Sequence, residues 1–79
     1  MGKQRAKPDI REKFGFAVKA RREELGQTQE DLAGKAGIHR TYLSDIERGS
    51  RNVSLLNIEK LAAALSTTIS ELFALVEKN

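Results

Sequence analysis

The chain has no cysteine and no tryptophan, and only one proline and one tyrosine. Without thiols it can form neither disulfides nor thiolate metal sites, and a reducing cytoplasm is its expected location. A single imidazole, His39, leaves no second one for a metal cluster or a general-base pair. No apolar run approaches the ~18–20 residues that span a bilayer, so no membrane association is expected. The opening MGKQRAKPDI lacks the apolar stretch of a secretory leader, and Ala6 stands where a myristoylation signal needs Ser or Thr. Paired catalytic carboxylates, a nucleophile–base set and a phosphate loop are all missing from the pattern. Neither enzymatic activity nor a cofactor is therefore expected.

What is present is unevenly placed charge and helical periodicity. The 79 residues leave room for one small domain, and their net charge is a modest +3. Residues 1–22, however, hold eight Lys and Arg against Asp9 and Glu12, a net of +6, while the remainder is net −3. A basic N-terminal third beside a mildly acidic body points to contact with a polyanion on one face.

Residues 1–8 read as a disordered basic arm, and residues 9–79 as a single helical domain. Asp9 with Glu12 three residues on makes a capping-box start, and Gly26 a stop, for a first helix over about 10–25. Its apolar stripe would be Ile10, Phe14, Ala17, Val18 and Leu25. Thr28 with Asp31 repeats the start signal for a second helix that runs to about Lys35 and is closed by Gly37 in a left-handed turn. A third helix follows at about 39–48 and ends at Gly49. Ser54 caps a fourth, with Val53 placed to staple onto Ile58 and with Leu55, Ile58, Leu61, Ala62 and Leu65 on its apolar side. Thr68 and Glu71 form another capping box for a fifth helix carrying Ile69, Leu72, Phe73, Leu75 and Val76. The expected fold is therefore all-α: five short helices and no strand, joined by short connections.

The third helix and the loop after it, GIHRTYLSDIERGSRN (37–52), gather an unusual set of side chains. On a wheel of about 100° per residue, His39, Tyr42, Leu43 and Ile46 fall on one side. Arg40, Thr41, Ser44, Asp45 and Arg48 share an arc of about 140° on the other. That arc carries groups suited to base edges: Arg for guanine, hydroxyls for several bases, an acid for the cytosine amino group. Leu32 and Ala33, then Gly37, then Leu43 and Ile46 describe a helix, a short turn and a second helix. Ala33 is small enough for a close crossing, and Leu32, Ile38, Leu43 and Ile46 would form the seam.

TQEDLAGKAGIHRTYLSDIERG resembles the helix-turn-helix of the Xre-type transcription regulators, relatives of the phage Cro and repressor proteins. The likeness continues through SLLNIEKLAAALSTTISELF. The run HRTYLSDIERGSRNVSLLNI is similar, more narrowly, to the controller proteins of restriction–modification systems. The resemblance implies a homodimer that binds a palindromic operator in double-stranded DNA and regulates its own promoter, with RNA polymerase as a further partner. A phage-type repressor or an antitoxin would share the fold. An antitoxin would be expected to carry a longer interaction tail, and a protein-interaction module would have lost Gln29 and Arg40.

By position, the resemblance assigns Gln29 to the phosphate backbone, and Arg40 and Thr41 to the bases. An amide beside the free N–H groups of a helix start suits an anion. Arg48, Arg51 and Asn52 match positions that touch the backbone and flanking bases. Ser44 and Asp45 lie further along the same face, and Asp45 is suited either to orienting Arg48 or to accepting from cytosine. Tyr42 is expected half-packed, with its hydroxyl reaching a phosphate. His39 stands where the family has Ser, Thr or Asp as N-cap; a neutral ring could accept a backbone N–H, a protonated one could pair with phosphate. Arg22 and Glu47 match a structural salt bridge between the first and third helices. Three departures stand out: Gln27 in place of an apolar residue, Val53 in place of Pro, and Ser66 in place of Gly. The large apolar residues of the fifth helix exceed one inward stripe, so Ile69, Leu72, Phe73 and Val76 are expected at the dimer interface.

Overall fold

The structure, a computed structural model, describes residues 8–78. The expected arm, with Lys3, Arg5 and Lys7, falls almost wholly outside the described residues. Five α-helices follow in order: α1 (Ile10–Glu24), α2 (Gln29–Ala36), α3 (Arg40–Glu47), α4 (Leu55–Ala64) and α5 (Ile69–Lys78). No strand occurs among the described residues.

Side chains cap four of the five starts. Asp9 accepts from the Arg11 and Glu12 amides while Glu12 accepts from the Asp9 amide, and Thr28 and Asp31 exchange bonds in the same way. Ser54 accepts from the Asn57 amide, and Thr68 and Glu71 complete a third reciprocal pair. Each bond satisfies a backbone donor that a helix start leaves without a partner. Three of these acids are held below their ordinary pKa: Asp9 chiefly by the Arg11 guanidinium, Asp31 by the Thr28 amide, Glu71 by the Thr67 hydroxyl. At α3 the expected cap is missing. His39 occupies the N-cap position with extended backbone, yet its ring makes no capping bond.

The core is built from all five helices. Val18, Leu32, Leu43, Leu61, Leu65, Leu72 and Val76 are fully buried, with Phe14, Ala17, Ala33, Ala36, Ile46 and Ala62 beside them. The seam predicted for the helix-turn-helix forms, with Leu32, Leu43 and Ile46 buried and Ile38 packed at its margin. α1 packs on α3 and α5, α2 on α3 and α4, and α4 on α5. Three residues assigned to inward stripes face solvent instead: Ile10, Leu25 and Leu55. Each lies at the very first position of its helix or just past the last, beyond the turns that lie against the core.

Two backbone features hold α3 in place. Gly15 sits in the middle of α1 against the end of α3; a Cβ there would lie 2.2 Å from the Ile46 carbonyl oxygen and 2.8 Å from that of Glu47. Gly49, at φ 80°, ends α3 so close to α1 that a Cβ would come within 2.7 Å of the Glu12 Cα. At the far end of the bundle Ser66 adopts φ 55°, the left-handed conformation expected where Gly is usual. Arg21 reaches across from α1 to donate to the Leu65 carbonyl at 3.0 Å and to that of Ser66 at 3.3 Å. A cation at the carboxyl end of α4 satisfies exposed carbonyls and complements the helix dipole there.

Candidate nucleic-acid interface

The unit α2–turn–α3 turns on Gly37, whose φ of 72° is open to glycine and strained for other residues. The turn is closed by the Ile38 amide donating to the Ala33 carbonyl at 3.0 Å. α3 then lies with Leu43 and Ile46 inward and Arg40, Thr41 and Arg48 exposed. Its N-terminal side chains are therefore free while its C-terminal end is fixed to α1.

Glu47 provides that fixture. Its side chain is 4% exposed and that of Arg22 10%, and the two meet side-on: Arg22 Nε to Glu47 Oε2 at 2.7 Å, Arg22 Nη2 to Oε1 at 3.0 Å. The expected salt bridge is thus present in its two-bond form. Hydrogen bonding to Glu47 raises the Arg22 pKa against the opposing effect of burial. Arg22 also donates to the Gln27 carbonyl at 2.9 Å, tying the corner between α1 and α2. The Gln27 side-chain oxygen is buried without a hydrogen-bond partner among the described residues, at one of the three departures.

Sequence reasoning missed the third member of this cluster. Gln29 Nε2 donates to Glu47 Oε1 at 3.0 Å, so one carboxylate joins α1, α2 and α3. A primary amide has two N–H donors, and the second stays available for a phosphate at the start of α2.

The exposed face is organised around Asp45. One of its oxygens accepts from Arg48 Nη2, and the other from Arg51 Nε and Nη2 at 3.3 and 3.2 Å. Arg48 also donates to the Ser44 hydroxyl at 2.8 Å, and the Arg51 guanidinium lies 5.2 Å from the centre of the Tyr42 ring. Tyr42 is half-buried, and its hydroxyl accepts from Asn57 Nδ2 at 3.1 Å, which leaves the hydroxyl hydrogen free to donate. Asn52 and His39 are exposed. Arg40 and Thr41 are exposed too, and neither side chain makes a hydrogen bond or ion pair among the described residues. Every other described arginine has a partner: Arg11, Arg21, Arg22, Arg48 and Arg51.

A second surface adjoins this face. Ile10, Phe14, Val53, Ile58 and Phe73 wall an apolar groove with Arg51 and Asn52 at its lip. Phe14 and Phe73 stack at its base with centroids 5.6 Å apart. Leu55 and Leu56 are 83% and 60% exposed at the start of α4, and Ile69 is 45% exposed on α5. Leu72 and Val76, expected at a dimer interface, are instead fully buried in the chain's own core. They lie four apart on the inward stripe of α5, while Ile69 and Phe73 share the outward-leaning one.

No group of acids and histidine among the described residues could hold a metal ion, and no helix is long and apolar enough to cross a membrane. A compact helical domain presenting an exposed, arginine-bearing second helix of a helix-turn-helix defines a DNA-binding regulator.

The sequence pattern of the helix-turn-helix family matches residues 18–72. The control protein C.MunI of a Mycoplasma species is 48% identical over 71 residues, which cover 89% of this chain and 96% of the relative. Among solved structures, the restriction–modification controller protein C.AhdI from Aeromonas hydrophila superposes with a TM-score of 0.77 at 48% identity, covering 78% of this chain and 94% of that one. The controller protein C.Esp1396I, solved as a tetramer on its natural 35 base-pair operator, superposes with a TM-score of 0.83 at 38% identity, covering 91% and 95%. The chain belongs to the helix-turn-helix family and, within it, to the restriction–modification controller proteins.

Proposed function

We propose that this chain is a cytoplasmic regulator that binds a palindromic operator at its own promoter as a homodimer, within a restriction–modification locus. The observation that carries the reading is Arg40, the described guanidinium that the fold leaves without a partner. Such a group at the start of a major-groove helix can grip guanine O6 and N7 together. Thr41 beside it offers a hydroxyl and a methyl to the neighbouring base. Gln29, Tyr42, Arg48, Arg51 and Asn52 surround them as backbone contacts, with His39 and Ser44 at the margins. The operator complex of C.Esp1396I supports the DNA-binding role, and RNA polymerase is proposed as a further partner because a regulator bound at a promoter lies beside it.

Arg40→Ala should weaken operator binding by about 1–3 kcal/mol and relax the preference at one base pair per half-site. Gln29→Ala should weaken operator and random DNA by about the same factor. Titrations of both variants against the operator and a scrambled duplex check this. An equal loss on both duplexes for Arg40→Ala would contradict base reading.

The second copy of the chain is best placed over the groove beside the 51–53 loop, where the protruding Leu55 and Leu56 of a two-fold partner can cover it, with Phe73 inside the covered area and Ile69 at the border. A two-fold dimer through this surface would present two α3 helices to one face of the duplex, with half-sites about one helical turn, ~34–36 Å, apart. Leu55→Glu should give a folded monomer by sedimentation, because Leu55 contributes nothing to its own core. The same variant should bind a full operator no better than an isolated half-site. A wild-type chain that sediments as a monomer at high micromolar concentration would exclude this interface.

A further inference from the structure

We propose that Asp45 sets the ratio of operator to non-operator binding by neutralising and aiming two arginines, without touching a base itself. The proposal rests on the DNA-binding reading above. Asp45 is largely enclosed, its side chain 18% exposed, while the Arg48 and Arg51 side chains that it holds are 63% and 51% exposed. Its two oxygens are divided between them, one each. Each guanidinium is then fixed by a second contact, Arg48 by Ser44 and Arg51 by the Tyr42 ring, which Asn57 in turn anchors. Both cations leave the carboxylate with a set direction, and Asp45, largely enclosed and with each oxygen held by an arginine, is poorly placed to reach a cytosine amino group. The trio carries a net charge of +1 rather than +2.

These two facts act differently on the two kinds of DNA. Random duplex offers phosphates in any register and rewards charge alone, so neutralising one unit of charge lowers that affinity. At the operator, the docked register places phosphates where the fixed guanidinia already point, and little ordering remains to be done. Asp45 therefore lowers affinity for random DNA while sparing affinity for the operator.

The test is Asp45→Asn, which keeps the shape and removes the charge, titrated with operator and scrambled duplex over a range of salt. For scrambled DNA the slope of log affinity against log salt should steepen by about 0.9, one more phosphate neutralised. That corresponds to roughly five-fold tighter binding at ~0.15 M salt, with the operator-to-random ratio falling by about the same factor. Adding Arg51→Ala in the same chain should return the slope to its wild-type value. A slope unchanged in Asp45→Asn would overturn the proposal, whether both affinities fall together or only one base-pair preference changes. Absence of binding to any duplex by the wild-type chain would instead overturn it together with the reading beneath it.

Discussion

Replacing Glu47 with alanine should lower the stability of the domain by about 3–5 kcal/mol, the usual cost of stranding one member of a buried ion pair. The Arg22 Nε and Nη2 donors would lose their acceptor in a site where its side chain is only 10% exposed. The Gln29 amide would lose its anchor at the same time. Domains of this size carry roughly 4–12 kcal/mol in total, so the loss would be a large share. Each kcal/mol displaces the melting temperature by about 4–8 °C, which makes a drop of about 12 °C or more the expected reading. Glu77→Ala, at an exposed position on α5, should stay within about 0.5 kcal/mol of wild type and serves as the reference. Equal melting temperatures for the two variants would show that the pair does not stabilise the fold. Binding should suffer as well if Gln29 contacts the phosphate backbone as proposed, because its amide is held in place by the same carboxylate.

The second large effect concerns two glycines that look alike in the sequence. Gly15 and Gly34 both stand inside helices, where alanine is ordinarily better by about 0.5–1 kcal/mol. At Gly34 nothing lies within 4 Å of the added carbon, so Gly34→Ala should stabilise the domain by about that amount. At Gly15 the same carbon would meet two backbone carbonyls, at 2.2 and 2.8 Å, and backbone cannot swing aside as a side chain can. Helix α3 would have to move by the better part of an ångström. Overpacking of this kind costs about 1–3 kcal/mol or more, against which the helix-propensity gain is small. Gly15→Ala should therefore destabilise by about 2 kcal/mol net. Paired denaturant melts decide the matter, and only opposite signs for the two alanines agree with this packing.

That contrast also marks how far the sequence could be read. Helix starts were legible because a cap is a local event: Asp9, Thr28, Ser54 and Thr68 each bond to an amide two or three residues away. The turn at Gly37 and the buried Leu32, Leu43 and Ile46 were legible for a similar reason, since spacing alone puts them on one seam. The Arg22–Glu47 pair came from family likeness, not from residue spacing. What escaped depended on long-range placement. Nothing near Gly15 in the chain reveals that the end of α3 lies against it. The five apolar residues of α5 were correctly too many for one stripe, but the rotation of the helix decides which point inward. It turned Leu72 and Val76 into the core and left Ile69 at the surface. The arginine-rich stretch 40–51 showed which residue types gather there. The spacing of three between Asp45 and Arg48 offered that pair as one of two roles for Asp45, whereas the arrival of Arg51 on the same carboxylate depends on the path of the loop after Gly49.

Arg40 and Thr41 make no side-chain hydrogen bond or ion pair with the rest of the described molecule, whereas Glu47, Gly15 and Gly49 are locked to α1. Changing a residue costs folding energy in proportion to what it touches, so the two classes of position are subject to different constraints. The locked positions tolerate almost no replacement. The free pair can be exchanged at little folding cost, in one or two nucleotide changes, while the frame that presents it stays as it is. If Arg40 and Thr41 read the operator as proposed, a lineage built on this frame can acquire a new operator without first passing through an unstable intermediate, and two copies in one cell can drift apart in target until neither disturbs the other's gene.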